Sequence, residues 1–165
     1  MSDVKDLKID KIELDTKCVQ AIFLGVPDVP GVAAKLFQAI ATRNIGLNFI
    51  IQNPMRGGRT DLSFVTRKGN LDRIIPICRQ VADEVEAQGV SFHSEIAAVT
   101  LLARDIPGNP QTAARVFTAL GEANINVDNI SATMDSITCI VELLRAEDAL
   151  NALQSAFREE LADRA

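Results

Sequence analysis

The chain has 165 residues, of which 47% are hydrophobic and 24% charged; its formal net charge is −5, and it has seven Phe but neither Trp nor Tyr. That length suits one compact domain or two small ones, and a chain of this size buries roughly 70% of its unfolded surface. An acidic balance with no basic stripe argues against nucleic acid and anionic membranes as partners, and no apolar run approaches the ~18 residues of a membrane span.

The first residues, MSDVKDLKID, are charged and lack the apolar region of a signal peptide. Cys18, Cys78 and Cys139 are odd in number and far apart, and with the single His93 they form no zinc pattern. A reduced, cytoplasmic compartment is the expectation.

Residues 7–14 (LKIDKIEL) alternate apolar and polar with a slip between Ile9 and Ile12, and predict a strand. A separate strand is predicted at 17–25 (KCVQAIFLG), ending in a Pro/Gly-broken loop from Val26 to Gly31. Val32, Leu36, Phe37 and Ile40 then recur at helical spacing, so a helix should run to about Arg43. Strands are predicted at 45–52 and 60–66 around a turn at Pro54–Gly58. Residues 71–88 read as a helix with Asn70 as N-cap; Pro76 lies deep enough to predict a kink or a late start. A short strand at 90–93 closes this first unit as β-α-β-β-α-β, the ferredoxin-like order.

The second unit repeats the order: strand 97–103, loop and helix 109–122, strands 125–131 and 136–143, helix 146–161. It lacks a last strand, and the amino terminus has one too many. The simplest accounting sends residues 7–14 across to complete the second sheet, since an unpaired edge is an aggregation hazard. The first unit, 16–94, is then an insertion in a second made of 7–15 plus 95–161.

The two units share a sequence. Residues 29–50 (VPGVAAKLFQAIATRNIGLNFI) and 109–130 (NPQTAARVFTALGEANINVDNI) are identical at Pro30/Pro110, Ala33/Ala113, Ala34/Ala114, Phe37/Phe117, Ala39/Ala119, Asn44/Asn124, Ile45/Ile125 and Ile50/Ile130. A repeat of this length means one structural unit used twice, hence two like sites or one shared site. Each copy opens with a turn into a helix N-terminus, where backbone N–H groups lack intrahelical partners and can hold a small anion.

In the first copy, the N–H groups of Gly31, Val32 and Ala33 and the positive end of the helix dipole suit a carboxylate. Asp28 can accept from an ammonium, and Gln52 at the end of the next strand can read a side chain. A free amino acid carries both charged groups. The competing reading is a plain strand-to-helix turn with Asp28 as a cap. In the second copy, Gln111 and Thr112 stand where the first has Gly31 and Val32, and a side chain at Gln111 crowds the donors; this loop reads as structural.

Enzymatic readings are thin. Asp61 has no evident acid or base partner, Glu84 and Glu86 belong to a charged helix face, and Arg56, Arg59 and Arg67 surround an ordinary Gly57-Gly58 turn although they could meet a phosphate. No P-loop, GxGxxG or HExxH occurs, and the paired aromatics of an RNA-binding sheet are missing. No catalytic residue and no metal or other cofactor is assigned.

The ordered segments Gly25–Phe37, Ile51-Gln52-Asn53, Thr60–Phe64 and Asn124–Val127 with Ile130-Ser131 resemble the C-terminal regulatory region of aspartate kinases, a pair of ACT domains, over roughly residues 7–160. That family also uses an amino-terminal strand to complete its second ACT domain. The resemblance implies allosteric binding of lysine or threonine between ACT units, with Asp28, Gly31, Val32, Ala33 and Gln52 facing Asn124, Ile125 and Asn126. A related second site would use Gln111, Thr112 and Ala113 with Asn44 and Ile45. Here the chain departs from the family: Pro110-Gln111 replaces Pro-Gly, Ala132 stands where Ser or Thr is usual, and Gly46 replaces an Asn. No Lys-Phe-Gly-Gly nucleotide-binding segment is present, so a regulatory chain without a kinase domain is expected. The implied assembly is a homodimer regulating a catalytic subunit in trans; the alternative is an ACT-fold assembly module with decayed ligand sites.

Overall fold

The first strand runs further than its sequence suggests. In the computed structural model, which describes residues 9–162, β1 is one strand, Ile9–Pro27. The two strands expected at 7–14 and 17–25 are therefore fused, because Asp15-Thr16-Lys17 offers neither Gly nor Pro to break the extended backbone. Leu7 and Lys8 lie outside the described residues. A second fusion joins the strands expected at 90–93 and 97–103 into β4, Gly89–Ala103.

The described chain divides into two compact units, one Lys17–Ser94 and the other made of the residues on either side of it. β1 and β4 each give one end to each unit.

In the unit 17–94, β1 is followed by α1 (Val32–Ala41), β2 (Phe49–Pro54), β3 (Arg59–Arg67), α2 (Leu71–Glu84) and the start of β4. The strand order is β2-β3-β1-β4, with β3 antiparallel to both β1 and β2. The core is built from alternate strand residues and one face of each helix: Val19, Ala21, Phe23, Leu62 and Phe64 meet Leu36, Ile40, Ile74, Ile77, Cys78 and Val81. These are the period-2 and period-3.6 positions of half-buried strands and amphipathic helices. Burial of each large side chain contributes about 1.5–3 kcal/mol.

α2 starts at Leu71 and continues past Pro76, so the late start does not occur. Pro76 is exposed, which lets water reach the backbone carbonyl its ring leaves unpaired. Asn70 occupies the N-cap position without capping through its side chain; its amide instead donates to the Thr66 hydroxyl at 3.0 Å. β2 begins at Phe49 rather than Ile45, because Ile45 is drawn into the core just after α1.

In the other unit, the amino-terminal part of β1 lies beside β4 in the order β1-β4-β6-β5, where β5 is Asn129–Ala132 and β6 is Ser136–Glu142. The helices are α3 (Gln111–Glu122), α4 (Ala146–Ala156) and α5 (Arg158–Ala162). Thus the amino-terminal strand completes the second ferredoxin-like unit. Ile9 is fully buried in its core, and Ile12 and Leu14 pack against the same core, as the slip in the alternation requires. The single helix expected at 146–161 is interrupted at the fully buried Phe157. Among the described residues, no helix is long and apolar enough to cross a membrane.

The repeated Asn44/Asn124 now has a backbone explanation. Both residues adopt positive φ, 53° in each case, just beyond the ends of α1 and α3. Asn tolerates this left-handed region better than most residues. Arg145 donates to the Ala123 and Asn124 carbonyls at 3.1 and 3.2 Å, and Arg73 likewise donates to the Arg43 carbonyl, so an arginine satisfies the open end of each helix.

Candidate functional site

The loop between β1 and α1 is held from below by a bulge. The β1–β3 register shifts between Phe23 and Val26, and Gly25 takes φ 54° there. The Gly25 N–H donates to Asp61 Oδ1 at 2.8 Å. Arg59 donates to the Gly25 carbonyl and to the Glu86 carbonyl at 3.2 Å. Asp61 and Arg59 are therefore positioning residues for the loop, and Arg59 is committed to backbone carbonyls rather than to a phosphate. The Asp28 N–H donates to the Gly58 carbonyl at 2.8 Å, which ties the loop to the β2–β3 turn.

Above the bulge lies a cavity of about 350 Å³. Asp28, Gly31, Val32, Ala33 and Gln52 all line it, so the first group of sequence candidates within this unit comes together. Gly31 is the N-cap of α1 at φ 95°, and a Cβ there would meet nothing within 4 Å. Glycine is required by backbone conformation rather than by space. Of the first-turn N–H groups that follow, that of Val32 makes a long bond to the Val29 carbonyl at 3.5 Å; the start of a helix gives such groups no intrahelical partner.

Sequence reading missed Val26, Thr60 and Leu62, which form part of the cavity wall. Their signal lies in strand register. Gln52 stands opposite Leu62, so both side chains share a sheet face, and Leu62 belongs to the core beneath. Thr60 is buried and its hydroxyl donates to the Asn53 carbonyl at 3.1 Å.

The remaining candidates lie at other places in their own units. Asn124 is at the end of α3, the Ile125 side chain is buried in the core, and Asn126 donates to Asp128 Oδ1 at 3.0 Å. Asn44 and Ile45 hold the equivalent positions after α1, with Ile45 buried.

The second loop differs more than its helix-side alignment indicates. The Ile106 N–H donates to the Met134 carbonyl at 3.0 Å, as the Asp28 N–H does to Gly58. Ile106, which is buried, therefore stands in the place of Asp28, and Pro107-Gly108 is the insertion that hides this. Gln111 begins α3 after an N-cap, Pro110, at φ −64°, without the left-handed entry of Gly31. Thr112 is fully buried with its hydroxyl unpartnered, and Ala113 packs against the core.

The three cysteines are buried thiols. Burial pushes the Cys78 thiol up to about 12 and the Cys139 thiol to about 11, so neither is a nucleophile at neutral pH. Among the described residues no His/Cys/Asp/Glu group is arranged to hold a metal.

Family models of the ACT domain match residues 21–83 and 99–157. The aspartokinase of Mycolicibacterium smegmatis is 28% identical over 156 residues, covering 93% of this chain and 37% of that protein. An aspartate kinase of Stutzerimonas stutzeri is 30% identical over 133 residues, 81% of this chain and 32% of that protein. The chain thus spans about a third of the length of these relatives. The ligand-free regulatory subunit of aspartate kinase from Thermus thermophilus superposes with a TM-score of 0.85 at 29% identity, covering 90% of this chain and 99% of that one. The structure of aspartokinase alpha and beta subunits gives a TM-score of 0.84 at 28% identity, over 91% and 99% of the two chains. With a domain match in each unit and a likeness to regulatory subunits over almost its whole length, the chain belongs to the ACT-domain family, as a tandem pair resembling the regulatory region of aspartate kinase.

Proposed function

We propose that this chain is an allosteric regulatory protein that binds a free amino acid, lysine or threonine, at the β1–α1 cavity. The observation that carries the reading is the meeting of an exposed carboxylate, a helix N-terminus and a neutral amide around one 350 Å³ space. The effector carboxylate takes the N–H groups of Gly31, Val32 and Ala33, the ammonium takes Asp28, and the side chain meets Gln52. Asn124, Ile125 and Asn126 complete the site from an ACT unit set against it; with the Ile125 side chain in the core, that residue contributes backbone. The ACT domains run 16–94 and 7–15 with 95–161. The protein works as a cytoplasmic homodimer that controls a catalytic subunit in trans, without catalysis of its own. Regulation is linkage: a ligand that prefers one arrangement of the ACT units shifts the population the partner reads.

A second reading, an assembly module with decayed ligand sites, draws on Ile106, Gln111 and Ala132 in the unit that contains α3. Calorimetric titration of the chain and of Asp28→Ala with lysine and threonine separates the two. On the sensor reading, an effector at a hundred times its dissociation constant stabilises the fold by about 2.7 kcal/mol, and Asp28→Ala weakens binding about tenfold or more. Failure of both amino acids to bind, with a stable dimer, leaves the assembly reading.

A further inference from the structure

We propose that Arg59 carries the state of the β1–α1 loop to the carboxy-terminal end of α2, so that the loop and that helix end open and close together; the effector's part in this rests on the amino-acid-sensor reading above. The backbone of Arg59 stands at the base of the loop. It is paired with Pro27 in the β1–β3 ladder and follows Gly58, whose carbonyl accepts from the Asp28 N–H at 2.8 Å. Its side chain joins two other segments. One guanidinium nitrogen, Nη1, donates both to the Gly25 carbonyl in the bulge and to the Glu86 carbonyl just past α2, at 3.2 Å. A guanidinium nitrogen with two N–H groups can hold two acceptors at once, and charge strengthens both bonds. The same segments meet again beside it: the Gln88 N–H donates to the Leu24 carbonyl at 2.9 Å, and a Cβ at Gly25 would strike the Gln88 side chain.

The end of α2 needs such a support. Glu86 adopts φ 55°. Its N–H donates to the Asp83 carbonyl at 3.3 Å, and the Ala87 N–H donates to the Ala82 carbonyl at 2.9 Å. These are the two bonds of a Schellman ending, in which the left-handed position is usually glycine. A glutamate keeps that conformation only where its surroundings hold it, and the bond from Arg59 to its carbonyl is one of the holds. A bulge that shifts takes the guanidinium with it and slackens the hold on Glu86. The converse follows by linkage: an effector that fixes the loop steadies the end of α2. In the other unit, the β4–β6 ladder runs from Ile96 to Leu102 without a register shift, so it has no bulge in this place.

The test is amide hydrogen exchange in the full chain. It is read at Gly25, at Ala87, whose partner lies within α2, and at Cys78 in the middle of α2 as the control for global opening. Asp61→Ala removes the acceptor of the Gly25 N–H and leaves Arg59 and Glu86 in place. It should speed exchange at Ala87 as well as at Gly25, by about tenfold beyond any change at Cys78. Arg59→Met keeps the aliphatic stem and removes the donors. It should speed Ala87 likewise, and adding Asp61→Ala to it should then leave Ala87 where it is, as for residues that act through one link. Threonine or lysine, whichever binds by calorimetry, should slow exchange at Ala87 in the unaltered chain and not in Arg59→Met. Faster exchange in Asp61→Ala at Gly25 alone, or additive effects of the two substitutions at Ala87, overturns the inference. A ligand-induced slowing at Ala87 that persists in Arg59→Met overturns the role of Arg59 and leaves the sensor reading intact. Failure of both amino acids to bind overturns the sensor reading, and the ligand-free comparison then decides the coupling by itself. Melting temperatures confirm that the variants fold; should Arg59→Met not fold, Asp61→Ala alone decides.

Discussion

Removing Arg115 tests how the carboxy-terminal helical turn is held. Arg115 on α3 lies over the Phe157 ring, 4.3 Å from its centroid. It pairs with Glu160 and also donates to the Ala156 carbonyl. The arginine side chain is 39% exposed and that of Glu160 19%. The ring contact is worth about 0.5–1 kcal/mol at a partly exposed site, and a charge-assisted hydrogen bond about 1.5–3 kcal/mol before solvent screening is discounted. Arg115→Ala should therefore cost about 2 kcal/mol and lower the melting temperature by about 4–8 °C in a chain of this length.

The loss should depend on pH. The hydrogen bond from Arg115 is the main cause that holds the Glu160 carboxyl below its usual value. A carboxyl depressed by folding adds stability above its unfolded-chain pKa and surrenders it as pH falls through the folded value. The gap between the chain and Arg115→Ala should be full near pH 7 and should narrow, as the pH falls through the lowered Glu160 value, to what the ring contact and the bond to the Ala156 carbonyl contribute. Thermal melts across that range read it directly. A gap independent of pH, or no gap at neutrality, refutes the assignment.

Two further outcomes follow from the geometry. Asp61→Ala leaves the Gly25 N–H without its acceptor and should cost about 1–3 kcal/mol, with faster hydrogen exchange at the Gly25 amide; unaltered protection there would remove Asp61 from the bulge. Asn124→Ala should cost about 1 kcal/mol because φ is 53°, whereas Asn124→Gly should be close to neutral in urea unfolding. Equal losses for the two would mean that the side chain rather than the backbone conformation matters.

Of the candidate site, what was legible in the sequence is the part made of consecutive residues. Pro27–Val32 carries its own signals: prolines that stop β1, a glycine for the left-handed entry to α1, and an aspartate in the same turn. The β-α-β-β-α-β order was legible for the same reason, since helix and strand periods are local. The fusion of predicted strands into β1 and β4 was not, because an extended backbone without Gly or Pro gives no sign of where one sheet ends and the next begins. The break at Phe157 was also hidden, since an apolar residue at a helical position looks alike whether the helix bends there or continues.

By itself, the sequence determined that one unit is used twice, which helix and strand faces are apolar, and that a Pro/Gly turn precedes α1. Only the tertiary structure decided which distant residues share the cavity. Register places Gln52 opposite Leu62. Long-range hydrogen bonds from Arg59 and to Asp61 fix the bulge. The tie from Ile106 to Met134, matched with that from Asp28 to Gly58, sets a buried apolar residue where the first loop has Asp28. The physical reason is that propensity and capping are written within a few neighbouring residues, whereas register and loop anchoring depend on partners that meet only once the sheet has formed.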